Sequence, residues 1–316
     1  MGKLQKFADK LFKNRTDESG NGLSVSLDEL VGMRRYARYL KTDHTRRSYS
    51  KESGDIKSAF KGRGIEMEEI RAYQFGDDVR DIDWRVTARK DQPYTKIYQE
   101  ERDHEIYVWL DLSSSMLFAS QKELKSVTAA KVAALLGWAA LDNKDRFGCA
   151  IFDGQETWLY KAQRDRSHLM AILKKMAEIS AKTLSQKEIN FDAKLKSLRR
   201  LQLETKNRAG VFVVSSFIGW SDAFDKELAA LSQKSSLFLI NIFDELETRA
   251  PVSGQYMAAF GSQKLVFDSS EKKYRHNYEI YFENLRRQRE DFCRRFGCKL
   301  INFNAKQSFI KDLKIF

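Results

Sequence analysis

Apolar spacing divides the chain at about residue 104. From there to the end, short apolar runs alternate with longer stretches of helical periodicity. The runs at 106–112, 146–152, 210–216, 236–243 and 298–303 have the length and the β-branched and aromatic content of buried strands. Between and after them, residues 120–141, 167–179, 191–203, 222–232 and 273–296 read as helices, and a last helix runs to Phe316. This alternation predicts a doubly wound, mostly parallel α/β sheet over residues 104–316, because right-handed crossovers leave few other topologies. Asp153-Gly154 supplies a turn that folds 157–161 back as a hairpin strand, and 257–260 with 264–267 forms a second, small hairpin.

Ser120 and Glu123 have capping-box spacing, which places a helix start there. The half of that helix from Val132 to Leu141 is apolar nearly all round, so it packs in the interior against the sheet. Before residue 104 the patterns are weaker. Residues 1–25 are polar and read as a mobile leader. Ser26 with Glu29 opens an N-terminal helix whose Leu27, Leu30, Val31, Tyr36, Ala37 and Leu40 form one apolar face. Arg34, Arg35 and Arg38 lie opposite, and the helix is expected to dock on the body. It leads into a polar, basic loop with Arg46-Arg47 that ends near residue 57.

Residues 58–103 form a third region, β-rich but irregular, with a strand at 94–99. Its glycines mark turns, and its acids and arginines are spaced too densely for random surface. A reciprocal network of Arg71, Asp77, Asp78, Arg80, Asp83 and Arg89 around the Gly76 turn would fix it, with Tyr73 and Trp84 as anchors and Thr87 in the same stretch.

Charge changes this picture only at the surface. There are 56 Lys and Arg against 44 Asp and Glu, a net +12, with both signs mixed along most of the chain. The plain reading is a generous basic surface. The other is a binding face for nucleic acid or an anionic membrane, built from Arg34, Arg35, Arg38, Arg46, Arg47, Arg286 and Arg287. Glu283, Glu290 and Asp291 are interleaved with the last of these, which favours a solvated face and argues against nucleic acid. No window holds the roughly 18 consecutive apolar residues of a spanning helix, and the first residues lack the apolar centre of a signal peptide. A cytoplasmic location is expected, with peripheral contact at the inner membrane allowed. Cys149, Cys293 and Cys298 form no Cys-x-x-Cys pair and read as reduced thiols, and the four histidines have no local ligand spacing.

The run beginning at Ile106 ends in Asp111-Leu112-Ser113-Ser114-Ser115. A carboxylate followed by hydroxyls at alternate positions, at the carboxyl end of a buried parallel strand, suits a hard cation that keeps several waters and leaves a position for an acid from a partner. Asp111-x-Ser113-x-Ser115 resembles the metal-ion-dependent adhesion site of von Willebrand factor A domains. The upstream string Arg71-x-Tyr73-x-x-Gly76-Asp77-Asp78-x-Arg80-x-Ile82-Asp83-Trp84-x-x-Thr87-Ala88-Arg89 closely resembles the signature of the bacterial domain-of-unknown-function-58 family. Together the two matches cover about residues 60–305. The resemblance implies a von Willebrand A-like fold with a β-rich insertion ahead of it. It also implies partnership with MoxR-type AAA+ ATPases, and with other von Willebrand factor A proteins, in protein remodelling, maturation or stress response.

Two departures bear on the metal. The family's strand end Ser-Asp-Phe is Ser215-Ser216-Phe217 here, so a carboxylate is missing. The threonine of a later loop has only Asn190, Ser185 and Thr183 as imperfect counterparts. Mg²⁺ is therefore expected to bind weakly or not at all, with Ser216 and Asp222 as substitute ligands. Enzyme motifs do not appear: there is no Gly-x-x-x-x-Gly-Lys-Ser/Thr, and no Gly-x-Ser-x-Gly with a histidine in reach. A non-enzymatic adaptor or scaffold without a small-molecule substrate is the expected function; a basic nucleic-acid or membrane binder is the alternative.

Overall fold

The computed structural model describes residues 22–37, 65–90, 92–100, 104–120, 123–185, 188–248, 253–260, 263–270 and 272–305. The expected leader before residue 22, Arg38, Arg46, Arg47 and the helix ending at Phe316 lie outside the described residues. Contacts gather the chain into two units, residues 1–45 with 104–316, and residues 46–103.

The N-terminal helix is two pieces, α1 (Leu27–Gly32) and α2 (Arg34–Ala37), separated at Met33. Its capping box is complete, since the Glu29 amide donates to Ser26 Oγ and the Ser26 amide to Glu29 Oε2.

In the smaller unit, β1 (Ile65–Ala72) pairs antiparallel with β2 (Tyr94–Glu100), with an irregularity between Met67 and Glu69. The linking segment is more regular than its density of charges suggests: a 3-10 turn at Val79–Asp81 and a helix α3 (Trp84–Lys90). Its aspartates act mainly as caps. Asp77 accepts from the Gln74 amide, Asp78 from the Arg80 amide, and Asp83 from the Arg85 and Val86 amides. Arg71 donates to Asp77 at 2.8 Å, and the Tyr94 amide donates to Thr87 Oγ1. Gly76 has φ 106°, which requires a residue without Cβ. Within this unit Trp84 is 67% exposed and Phe75 is wholly exposed.

The larger unit is built on a six-stranded sheet, ordered β10-β7-β6-β3-β4-β5. In chain order its elements are β3 (Glu105–Asp111), α4 (Lys125–Asp142), β4 (Arg146–Phe152), β5 (Thr157–Gln163), α5 (Arg166–Lys182), α6 (Phe191–Glu204), β6 (Gly210–Ser215), α7 (Asp222–Lys234), β7 (Ser236–Phe243), the hairpin β8 (Gln255–Phe260) and β9 (Gln263–Asp268), α8 (Lys272–Phe296) and β10 (Lys299–Asn304). Every pairing in the sheet is parallel except β4 with β5. The chain winds one way from β3 to β4 and β5, then returns to the other side of β3 for β6, β7 and β10. The winding therefore reverses at β3.

Strand alternation sends side chains into two cores. Val108, Leu110, Cys149, Ile151, Val214 and Ile240 face α4, α5 and the N-terminal pieces. Tyr107, Trp109, Val211, Val213, Leu237 and Leu239 face α6, α7 and α8. Helix α4 is buried along nearly its whole length, and the Trp138 indole N–H donates to the Leu30 carbonyl, which ties the N-terminal helix to the core. The start of α4 differs from the expected capping box. Leu124 holds the cap position, the Ser120 amide donates to Asp244, and Glu123 accepts from Thr128 and Lys131. Among the described residues no helix is long and apolar enough to cross a membrane.

Candidate functional site

The loop at the carboxyl end of β3 sits at the point where the winding reverses. Asp111 is fully buried there. Its Oδ1 accepts from the Ser113 hydroxyl at 2.6 Å and the Ser113 amide at 3.0 Å. Its Oδ2 accepts from the Ser215 hydroxyl at 2.7 Å and the Lys194 ammonium at 3.1 Å. The Ser113 and Ser115 hydroxyls lie 3.0 Å apart, so the sequence motif does converge on one place. Burial alone would raise the Asp111 carboxyl, but the Lys194 charge and the Ser113 and Ser215 hydrogen bonds outweigh it and hold the group below its ordinary value.

The other expected ligands are elsewhere. Asn190 caps α6, accepting from the Ala193 amide. Thr183 and Ser185 donate to carbonyls of their own helix end, and Asp222 is exposed in the first turn of α7. Ser216 is on the far side of the strand end. Its amide donates to Met116 Sδ, and it lines a cleft of about 250 Å³ with Asn241, Asn302, Phe243, Arg286 and Arg289. Arg289, almost completely buried, donates to the Ser216 carbonyl.

Ser215 and Lys194 complete the Asp111 cluster, and sequence reasoning missed both. Register explains Ser215: β3 and β6 align Leu110 with Val214, which puts Asp111 beside Ser215. The next turn is strained, because Phe217 has φ 54° although it is a buried aromatic. That conformation turns the Phe217 amide back onto Ser215 Oγ at 3.1 Å, leaving the hydroxyl proton for Asp111. Lys194 follows from α6, whose buried residues Lys194, Ser197, Leu198 and Leu201 form one stripe. Its ammonium lies 5.7 Å from the Trp109 ring and 5.3 Å from that of Phe224.

Segments at the carboxyl ends of the strands also expose apolar side chains. Phe118 follows the β3 loop, Leu184 lies in the 3-10 turn Thr183–Ser185 after α5, and Phe191 begins α6; they are 40, 43 and 52% exposed. The Phe191 ring covers Gly219, where an added Cβ would meet it at 2.9 Å.

The basic candidates among the described residues have partners. Arg286 donates to Glu283 and Glu290, and Arg287 to Glu283, whose carboxyl those two arginines hold at about 2. Arg34 lies over the Trp138 ring and Arg35 over that of Tyr36.

The family model described as "Protein of unknown function DUF58" matches residues 69–290. An uncharacterized protein of Mycobacterium tuberculosis, Rv1480, and one of Mycobacterium bovis, Mb1516, are each 27% identical over 205 residues, 64% of this chain and 62% of theirs. The match thus spans less than two thirds of these curated relatives. Among solved structures, the conserved hypothetical protein BatB of Bacteroides thetaiotaomicron is similar at 13% identity and a TM-score of 0.42, over 67% of this chain and 95% of that one. An aerotolerance-related membrane protein of Bacteroides fragilis is similar at 11% identity and 0.41, over 67% and 96%.

Proposed function

Because the chain belongs to the DUF58 family, we propose that it is a non-enzymatic protein-interaction module of von Willebrand factor A type, docking a MoxR-type AAA+ ATPase on the carboxyl-end face of its sheet. The observation that carries this reading is the exposure of Phe118, Leu184 and Phe191 on segments that follow or precede the strands' carboxyl ends, the end at which Asp111 lies. Large apolar side chains exposed at one end of a sheet, with a hydrogen-bonded buried cluster at the same end, suit recognition of a protein surface. Aromatics in such a position supply much of the binding energy in protein interfaces.

The test is interferometry between the purified chain and the MoxR-type ATPase of the same genome, with ATP, with ADP and without nucleotide. Wild type is expected to bind in at least one state, and Phe118→Glu and Phe191→Glu to weaken binding about tenfold or more, the effect of a single interface anchor. Absence of binding in all three states, or wild-type affinity in both folded variants, would overturn the reading.

A further inference from the structure

We propose that the ε-ammonium of Lys194 is a built-in replacement for the divalent cation that an Asp-x-Ser-x-Ser loop otherwise takes, so that this loop is closed around an internal cation and does not take up Mg²⁺ or Mn²⁺. The donor set shows the misfit. A hard dication seeks about six oxygens, with carboxylates among them. Here Asp111 is the carboxylate that would have to face the ion, with the Ser113 hydroxyl beside it. Four donors already occupy the Asp111 oxygens, two on each, which uses what a carboxylate can accept. One of the four is a full positive charge 96% buried beside it, and a second cation there would meet like-charge repulsion in a low-dielectric interior.

The site is also built for the ammonium itself. Lys194 reaches Asp111 from the stripe of α6 that faces the core, and the faces of Trp109 and Phe224 flank its charge. Trp109 is held in turn, since its indole N–H donates to Ser197 Oγ at 2.8 Å, and Ser197 donates to the Lys194 carbonyl at 2.6 Å. This network gives the ammonium a defined seat. It stands independently of which partner docks on the protein.

If the ammonium replaces the ion, removing it should restore the ion site. Lys194→Ala leaves Asp111, Ser113 and Ser115 oxygens around a vacated space. The experiment titrates Mn²⁺ into the purified full chain, with loss of the free-ion paramagnetic resonance signal and the thermal midpoint as parallel readouts. Wild type should leave the signal unchanged, with the same midpoint in EDTA and in millimolar Mn²⁺. Lys194→Ala should melt lower in EDTA, bind one Mn²⁺, and recover by about 5–11 °C when Mn²⁺ reaches a hundred times its dissociation constant. Adding Asp111→Ala should abolish that binding. Micromolar Mn²⁺ binding by wild type that disappears in Asp111→Ala overturns the proposal, and this arm needs no destabilised lysine variant. So does a folded Lys194→Ala, or the bulkier Lys194→Gln, that gains no Mn²⁺ site.

Discussion

Asp111→Ala tests how much the buried pair contributes to the fold. The substitution removes a carboxylate with no solvent exposure and leaves three partners without their acceptor: the Lys194 ammonium, the Ser215 hydroxyl and the Ser113 hydroxyl and amide. The Ser113 hydroxyl has the Ser115 hydroxyl in reach at 3.0 Å, but the Ser215 hydroxyl keeps only a donor, the Phe217 amide, and its proton loses its acceptor. The ammonium keeps only ring faces. Removing one member of a buried ion pair costs about 3–5 kcal/mol, mostly through the charge left behind. That is a large share of the roughly 5–15 kcal/mol by which folded domains are stable. In a unit of this size it corresponds to a fall in melting temperature of about 6–20 °C. Urea denaturation followed by circular dichroism measures it, and the double variant Asp111→Leu with Lys194→Met supplies the control. Removing both charges together should cost less than Asp111→Ala alone. The pH dependence has a definite sign. Asp111 is held below its unfolded value, so the pair's contribution is complete above about pH 4 and is lost as pH falls through the folded-state value. The difference between wild type and Asp111→Ala should therefore be flat from pH 8 to pH 5 and shrink below that. A loss under 1 kcal/mol at pH 7, or a double variant as unstable as the sum of the singles, would refute the assignment of a buried, coupled pair.

Gly148→Ala should destabilise by about 1–3 kcal/mol in the same assay, because the new Cβ on β4 would meet the Tyr107 ring at 2.4 Å and the Ala162 amide nitrogen at 2.9 Å. The thiols should resist modification: burial pushes Cys293 up to about 12 and Cys298 to about 11, and raises Cys149 further. A disulfide reagent at pH 8 should label the native protein slowly at all three and the urea-unfolded protein quickly. Fast native labelling would show that one of them is not in this environment.

The sheet and its helices were legible because both cores are continuous. Strands buried on two faces read as unbroken apolar runs, and α4 reads as apolar all round. The Asp111 loop was legible for a different reason: its carboxylate and two hydroxyls lie within five residues, so their convergence is local. The rest of the cluster is not local. Lys194 comes from 83 positions away and Ser215 from 104, and a lysine among Lys196, Arg199 and Arg200 looks like one more solvated charge. A signal was nonetheless present, since Lys194 stands four before Leu198 and seven before Leu201, on the apolar stripe of α6. A charge on that stripe has to find a buried partner. The start of α4 misled for the opposite reason. Ser120 and Glu123 have capping-box spacing, but the Ser120 amide goes to a tertiary partner, Asp244, and Glu123 reaches forward to Thr128 and Lys131 on α4 itself.

The same comparison of local pattern with actual partners bears on the net charge of +12. Arg286, Arg287, Arg294 and Arg295 look basic in sequence, yet Glu283, Glu290, Asp291 and Asp225 take their donors. A phosphate would have to displace those carboxylates, which cancels most of what an arginine contributes to polyanion binding. The stretch from Arg38 to Arg63 is different in composition, setting eight Lys and Arg against three Asp and Glu. If the chain binds polyanions, that stretch should dominate the salt dependence, because each phosphate contact adds about 0.9 to the slope of log affinity against log salt. Fluorescence anisotropy with a short DNA duplex, from 20 to 200 mM salt as a rough working range, measures the slope. Changing Arg38, Arg46 and Arg47 together to Gln should lower it by about 2–3. Changing Arg286 and Arg287 to Gln should move it by less than about 1, since their charge is already answered on α8. The reverse ranking would show that the α8 ion pairs open for phosphate and that the basic face, rather than Phe118, Leu184 and Phe191, is the surface to pursue.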